Sequence, residues 1–129
     1  MAVTDETPAA AWRRCRPYVE AALARAGGTH EIEDVERLIG EGRAHFWPGR
    51  RCAVVTEFYR YPRLMACNLW LMGGDLKDLL ALRPHIEDWA RAQGCVRILG
   101  GGPRRGWERV LRPLGYRPEW IIYGKDLSP

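Results

Sequence analysis

Several features that define other protein classes are missing from this sequence of 129 residues. It has no apolar run of about 18 residues, which a membrane span requires. Its first residues, MAVTDETPAAAWRR, lack the charged-then-apolar pattern of an export signal. It contains no Gly-x-Ser-x-Gly elbow, no His-Glu-x-x-His and no Walker loop. The sequence therefore predicts one soluble domain without a signature of these enzyme classes.

Cysteine is sparse and is not arranged for metal binding. The sequence has no C-x-x-C, and its three histidines are not at ligand spacing from the cysteines, which argues against a zinc site. The cysteines stand in apolar strings such as RCAVV and LMACNLW, which is typical of buried, reduced thiols. This predicts a cytoplasmic folding environment. The four are Cys15, Cys52, Cys67 and Cys95.

Lysine is nearly absent, since only Lys77 and Lys125 stand among 20 basic residues. Heavy use of arginine also fits a GC-rich genome. The net charge of +4 is unevenly distributed, because residues 31–41 are acidic whereas residues 97–117 carry six arginines against Glu108 alone. A basic face of this kind suits an anion such as a nucleotide phosphate, or a protein contact. Nucleic acid ranks last as a partner, because the aromatic spacing of single-strand binders is missing.

The first part of the chain has helical periodicity. Residues 8–26 predict a helix that ends at Gly27-Gly28, with Pro17 expected to kink or split it. A second helix follows in THEIEDVERLIGEG, with Thr29 as the expected N-cap and acidic residues in its first turn. Two helices therefore precede the strands.

The pattern changes to that of strands after Arg43. AHFWPG, CAVVTEFYRY and LMACNLWLMG are rich in β-branched and aromatic residues. Turn residues separate them at Pro48-Gly49 and at residues 61–63. Because these connections are too short for crossover helices, the sequence predicts an antiparallel meander of three strands.

Helical periodicity returns after Gly74. Asp75 is the expected cap of a helix that Pro84 should divide in two. CVRIL then predicts a strand, PRRGWERVLRPLG a helix, and residues 119–127, EWIIYGKDL, a last strand. The glycines at 100–102 are the turn between that strand and helix. The order α-α-β-β-β-α-β-α-β predicts an α/β fold whose mixed sheet is flanked by helices.

The sequence resembles the GNAT superfamily of acyl-CoA N-acyltransferases. The resemblance lies in GGDLKDLLALRPHIEDWARAQGC and in GWERVLRPLGY followed by EWIIYGKDL. Leu114-Gly115-Tyr116 stands where many GNAT proteins have Gly-Phe. Within the superfamily it looks closest to GNAT-like proteins of bacteriophages and prophages, including small internal virion proteins. It covers roughly residues 31–127, which implies a GNAT-like domain over residues 31–129 and an N-terminal helical extension over residues 1–30.

The resemblance implies acetyl-CoA, or another acyl-CoA, as the cofactor of an active protein. The cofactor would lie between two splayed parallel strands, with its pyrophosphate at the next helix N-terminus. The family's loop (Gln or Arg, two residues, Gly, one residue, Gly or Ala) is missing. Asp75 and Asp78 stand there instead, with Lys77 offsetting one of them, and a net negative first turn opposes an anion. The residues implied in cofactor binding are Leu69, Trp70, Leu71, Met72, Gly73, Gly74 and Arg104.

The resemblance also implies a catalytic tyrosine in the helix after CVRIL, but Leu111 occupies its usual position. Tyr116 or Tyr123 is the nearest replacement for this general acid. Glu57 or His45 is the candidate general base, although Glu57 also fits an outward-facing strand residue and His45 an ordinary strand-end histidine.

Three functional interpretations follow. The first is a phage-derived GNAT-fold protein of the virion or its assembly, in the host cytoplasm or the virion. Its acyltransferase activity is degenerate or unproven, and its partners are phage structural proteins or further copies of itself. The alternative is an active acyl-CoA-dependent N-acetyltransferase on an unknown amine. A nucleic-acid adaptor is the last; it would use Arg104, Arg105, Arg109 and Arg112.

Overall fold

The computed structural model describes residues 6–101 and 106–127. Along these residues the strands form one sheet in the order β1-β2-β3-β4. The meander β1-β2-β3 is antiparallel, and β4 joins β3 in parallel through α3, which confirms the predicted mixed α/β sheet. The elements are α1 (Pro8–Ala24), α2 (Ile32–Gly40), β1 (His45–Pro48), β2 (Cys52–Arg60), β3 (Met65–Gly74), α3 (Leu76–Ala92), β4 (Arg97–Gly100), α4 (Gly106–Leu111) and a 3-10 turn (Arg112–Leu114).

The two faces of the sheet carry separate apolar cores. Side chains of α1 and α2 cover one face, where Val19 and Val35 pack in one cluster with Val55 and Leu71. Residues of α3 cover the other face, where Ile86 packs in a second cluster that includes Val54. Successive residues of β2 thus point to opposite faces, as the period of a strand requires. A continuous apolar strand such as β2 is explained by burial on both faces.

Helix α1 is one continuous helix, so Pro17 does not split it, while the alternative of a kink at Pro17 stays a prediction. Thr7 Oγ1 caps it by accepting a hydrogen bond of 3.1 Å from the amide of Ala10. Pro17 is exposed, whereas the buried residues Cys15 and Val19 on either side of it anchor both parts of the helix to the sheet. This packing outweighs the hydrogen bond that proline removes. The division of the chain at residue 30 stays a prediction, but the apolar stripe of α1 belongs to the core.

Helices α2 and α3 each begin directly after an acidic N-cap residue. Helix α2 is capped by Glu31 rather than Thr29, because the Asp34 carboxylate accepts a hydrogen bond of 2.8 Å from the Glu31 amide. The hydroxyl Oγ1 of Thr29 instead lies 2.7 Å from Nδ1 of His30. Helix α3 begins after the predicted cap Asp75 and runs unbroken through Pro84, so the predicted break is wrong. As in α1, buried residues on both sides of the proline hold the helix together.

Residues 119–127 are not a strand, contrary to the prediction. They have no partner strand in the part of the chain that the structure describes, and their large apolar side chains are exposed. Strand-forming residues need an adjacent edge with which to exchange hydrogen bonds, and the neighbouring strand β4 has only four residues. The start of the predicted helix 103–115 falls partly on residues 102–105, outside the described residues; the rest is α4 and the 3-10 turn.

The remaining sequence expectations concern membranes, metals and thiols. No helix among the described residues is long and apolar enough to cross a membrane, and no group of three potential ligands among them could hold a metal ion. All four cysteines are buried and unpaired with one another. Burial raises the pKa of their thiols, to about 11 for Cys52 and about 12 for Cys67, which makes them poor nucleophiles.

Candidate functional site

The strand pair β3–β4 opens where β3 contains a bulge. On the β2 side, Val55 pairs with Leu71 and Thr56 with Leu69, so Trp70 is an extra residue without a partner. On the β4 side, pairing runs from Ala66 to Leu69 and stops at Gly100. From residue 70 to residue 74, this edge of β3 has no strand partner among the described residues. A bulge bends a strand and interrupts its pairing. The edge of β3 from residue 70 to residue 74 is called the opening below, because β4 ends at Gly100 and no described strand covers it.

Glycines allow β4 to end close to this opening. A Cβ at Gly100 would lie 3.2 Å from Cδ1 of Leu69, so the backbone of β4 approaches the Leu69 side chain closely. Gly101 has φ 152°, a conformation that favours glycine. Gly100 therefore lets the end of β4 contact Leu69, and Gly101 adopts a backbone conformation that other residues rarely take. Gly102 and Arg104 lie outside the described residues.

The upper end of the opening leads to the N-terminus of α3. The Asp75 carboxylate accepts a hydrogen bond of 3.1 Å from the Asp78 amide, and Asp78 pairs with Arg51 at 3.3 Å. The amides of Leu76 and Lys77 belong to the first turn, where helical N–H groups have no intrahelical acceptor. An anion would therefore find two amides and Lys77 here, but next to the negative charge of Asp75.

Gly73 serves packing rather than flexibility. It is buried, and a Cβ there would lie 2.1 Å from the backbone oxygen of Tyr18 in α1. Gly74 has φ 110°, and a Cβ there would lie 2.4 Å from the backbone oxygen of Arg51. The two glycines thus allow α1 and the β1–β2 turn to approach the end of β3. This explains why β3 can be pressed against α1 on one face while its outer edge is open.

A polar cluster lies just before the bulge, on the face that α1 covers. Nδ2 of Asn68 donates hydrogen bonds of 3.1 Å to Glu57 Oε2 and of 3.1 Å to Tyr59 Oη. Asn68 points to this face because its neighbours Cys67 and Leu69 belong to the core on the opposite face. Burial and the adjacent Glu57 carboxylate raise the pKa of Tyr59. Sequence reasoning missed Asn68 and Tyr59, although a lone amide in the apolar string LMACNLWLMG was a visible signal.

His45 lies elsewhere. It is opposite Thr56 on β1, with its ring 4.9 Å from Trp89 and 5.2 Å from Phe58, in a groove of about 360 Å³. Burial lowers the pKa of this imidazole. Since β1 is two strands from β3, their backbones are about 10 Å apart at a strand spacing of about 4.8 Å. The structure therefore brings Glu57 close to the bulge, but it leaves His45 on the other face and at the other edge of the sheet.

The two tyrosines that the sequence offered as general acids lie in different surroundings, and their role stays a prediction. Tyr123 is 90% exposed in residues 119–127. The hydroxyl of Tyr116 donates a hydrogen bond of 2.6 Å to Glu87 Oε2, which also pairs with Arg83. Burial, together with the Glu87 carboxylate, raises the pKa of Tyr116. Tyr116 thus attaches the chain after α4 to α3, while Leu111 is buried in its helix.

Solved structures share this architecture over most of the chain. A probable acetyltransferase matches with a TM-score of 0.68 and 12% identity over 95% of both chains. An acetyltransferase of Trypanosoma brucei matches with a TM-score of 0.58 and 14% identity, over 75% of this chain and 78% of that one. The fold is that of the acetyltransferases. A protein of Thermus thermophilus adds a TM-score of 0.55 with 14% identity, over 88% of this chain and 96% of that one.

The shared acetyltransferase fold is a structural likeness only. At identities of 12–14%, the TM-scores establish the architecture alone, and the reaction has to be inferred from the residues of the site. No protein-family model matches the sequence, and no curated protein matches it significantly.

Proposed function

We propose that this protein binds an acyl-CoA between β3 and β4 and transfers the acyl group to an amine. One observation carries the proposal. The pairing of β3 with β4 ends at Leu69 and the register with β2 shifts at Trp70, so the edge of β3 from Trp70 to Gly74 is open to a ligand. The amides of a pantetheine arm can pair with such an edge as an added strand does. The first turn of α3, at the end of the same edge, offers amides to the pyrophosphate.

The proposed chemistry uses Glu57 as the base. The amine nitrogen attacks the thioester carbonyl carbon, the C–N bond forms, and the C–S bond breaks with the electron pair going to sulfur. The amine proton passes to the Glu57 carboxylate, which Asn68 orients through its 3.1 Å hydrogen bond. With Leu111 in place of a tyrosine, the thiolate leaves without a protein acid. We therefore expect slow turnover, because a general acid contributes about 10²–10⁴ in rate.

A second candidate function is a non-catalytic component of a phage virion or of its assembly. Two observations favour it: the Asp75 carboxylate stands next to the proposed pyrophosphate position, and residues 119–127 expose large apolar side chains suited to protein contacts. Its partners would be phage structural proteins or further copies of the chain, in the host cytoplasm or the virion.

Calorimetric titration with acetyl-CoA tests binding. Asp75→Asn keeps a good helix cap but removes the negative charge, so binding should tighten by about two- to fivefold, which corresponds to about 0.3–1 kcal/mol at a helix N-terminus. Asp88→Asn, near the other end of α3, is the matched control and should leave the affinity unchanged. Absence of binding at millimolar acetyl-CoA would refute the proposal and favour the non-catalytic function.

Release of CoA thiol in the presence of a panel of primary amines tests the reaction. Glu57→Gln should lower kcat by about 10²–10⁴ with little change in acetyl-CoA affinity. His45→Gln is the control, because His45 lies at the opposite edge of the sheet, and it should leave kcat unchanged. Binding without turnover of any amine would support the virion or assembly role instead. An equal loss of kcat in both variants would contradict the role of Glu57.

A further inference from the structure

A row of three side chains crosses the sheet on the face that carries Glu57. Tyr59 of β2 pairs with Ala66 of β3, and Ala66 pairs with Arg97 of β4. Residues paired on neighbouring strands point to the same face, and Ile98, next to Arg97, packs against the core cluster of the opposite face. Tyr59 and Arg97 therefore lie on the face of Glu57, two residues further from the opening.

The apolar packing of α1 and α2 does not extend to this row. The core cluster that these helices form with the sheet includes Val55 and Trp70, but it includes no residue from 57 to 68. Glu57, Tyr59 and Asn68 are accordingly half-buried rather than buried. This part of the face is thus accessible between the bulge and the β2–β3 turn, as far as the structure describes the chain.

A pocket of about 390 Å³ lies at the end of the row and is called the arginine pocket below. It is lined by the β2–β3 turn, from Tyr61 to Leu64, and by Arg97. The ring of Tyr61 lies 6.1 Å from the ring of Tyr59, which connects the pocket to the row. Its described lining contains two guanidinium groups, those of Arg63 and Arg97, and no carboxylate. The arginine pocket therefore favours an anion.

The structure places one carboxylate next to the arginine pocket. Oε1 of Glu119 lies 3.7 Å from Nη1 of Arg97, and both side chains are about half exposed. This distance is too long for a hydrogen bond. A guanidinium presents its N–H donors in a planar fork that matches a carboxylate. A ligand carboxylate that also reaches Arg63 would therefore compete with Glu119 for Arg97.

We propose that the arginine pocket binds a carboxylate of the acyl acceptor, so that the substrates are small primary amines that also carry a carboxylate. This substrate class rests on the proposed function, in which Glu57 takes the amine proton. Glu57 lies between the opening and the arginine pocket. With acyl-CoA on one side of Glu57, the remainder of the amine extends to the other side, along the row.

The distance across the row sets the length of such an acceptor. Two residues along the strands and two strands across separate the Cα atoms of Glu57 and Arg97 by about 12 Å, at spacings of about 3.3 and 4.8 Å. Glutamate and arginine side chains extend into this distance. We therefore expect a span of a few methylene groups between the amine and the carboxylate.

A pair of matched amines tests this specificity. Release of CoA thiol from acetyl-CoA is compared for 6-aminohexanoate and for 6-aminohexanamide, which has the same length but no negative charge. We expect kcat/KM to be about tenfold higher for the acid, because hydrogen bonds between charged groups are the stronger ones. Arg63→Gln and Arg97→Gln should each lower this ratio by about threefold or more.

Arg60→Gln is the matched control for the two arginine variants. The Arg60 guanidinium lies 5.6 Å from the ring centroid of Phe58, on the opposite face of the sheet, so the ratio should stay unchanged. Equal kcat/KM for the acid and the amide in the unchanged protein would overturn the proposal. So would a ratio that falls as far in Arg60→Gln as in Arg97→Gln.

Glu119→Gln should have the opposite effect. It removes the carboxylate that competes for Arg97, so KM for 6-aminohexanoate should fall by about twofold, as expected for an exposed ion pair. Asp126→Asn, in the same exposed segment, is the control and should leave this KM unchanged. An unchanged or higher KM in Glu119→Gln would count against Arg97 as the partner of the substrate carboxylate.

NMR of the arginine Nε–H groups separates this proposal from the proposed reaction, because it requires neither acetyl-CoA nor turnover. Titration of the protein with 6-aminohexanoate should shift the signals of Arg63 and Arg97, assigned through their Gln variants, but not that of Arg60. Shifts at both arginines without turnover of any amine would contradict the reaction and support the carboxylate site. Absence of a shift at either arginine would overturn the site, whether or not the amines react.

Discussion

Two segments of similar composition differ in structure in this molecule, since one is a buried strand and the other is exposed and pairs with no described strand. Strand β2, CAVVTEFYR, and the segment 119–127, EWIIYGKDL, are both rich in β-branched and aromatic residues. Strand β2 has a neighbour on each edge and a helix layer on each face, and its first five residues are buried. The segment has neither, and its large side chains face solvent. The difference shows that strand propensity alone does not place a segment in a sheet, because pairing on an edge and packing on a face are needed as well.

The largest expected effect comes from close packing at β3. In Gly73→Ala the new Cβ would lie 2.1 Å from the backbone oxygen of Tyr18, so α1 and β3 must separate. We expect the free energy of unfolding in urea to fall by about 3 kcal/mol or more, at or beyond the usual cost of overpacking. Gly124→Ala, with open space around it in the exposed segment, should change stability by less than about 0.5 kcal/mol. Equal effects would contradict the contrast between the two regions.

A truncation gives the next largest difference. Leu71 is 2% exposed on β3, and Leu71→Ala should lower the free energy of unfolding by about 3 kcal/mol, within the range for large cavities in cores. Ile121→Ala removes a comparable side chain from the exposed segment and should cost less than about 0.5 kcal/mol in dilute protein. Chemical denaturation of both variants measures the difference. A large loss for Ile121→Ala in a monomer would show that the segment is packed.

Capping provides a smaller effect. Asp75→Ala removes the acceptor of the Asp78 amide and should cost about 1 kcal/mol, whereas Asp75→Ser retains an acceptor and should restore most of it. Asp126→Ala, in the exposed segment, is the matched control and should be close to neutral. Thermal unfolding of the three variants is the measurement. A neutral Asp75→Ala would mean that the cap does not hold the start of α3.

The smallest effect is a pH dependence confined to the packed region. Burial lowers the pKa of His45 in the folded protein, so the unfolded chain binds its proton more readily. Stability should therefore be greatest above pH 6.5, the ordinary histidine pKa, and fall as the pH drops through the folded pKa. His45→Gln should flatten the curve between about pH 5 and 7. An unchanged slope in this variant would assign the response to another group.

Local periodicity predicted most of the fold. The meander, the cap at Asp75 and the strand before the last helix are set by neighbouring residues, and the structure confirms them. The errors concern tertiary packing and strand pairing, which depend on residues far apart in the sequence. Pro17 and Pro84 do not break their helices because tertiary packing holds both halves, and residues 119–127 lack the partner that a strand needs.

The candidate site was predictable only in part. The resemblance pointed to the strand that ends in Gly73-Gly74, and the structure places an open edge there. The bulge was not predictable, because it arises from the register between β2 and β3 rather than from a residue type. Asn68 was missed for a related reason: its hydrogen bonds to Glu57 and Tyr59 depend on which side chains that register places opposite each other.

The bulge at Trp70 also bears on how this opening could arise. Leu69 faces α3, Leu71 faces α1 and Met72 faces α3 again, so without Trp70 the three would alternate as in an ordinary strand. A chain shorter by this one residue would restore the regular register between β2 and β3, but it would lose the contacts of Trp70 with the α1 core and with His30. The bulge is thus a one-residue feature of β3 that also adds a large side chain to one core. We expect deletion of Trp70 to remove the bulge and to weaken the packing of α1 on β3.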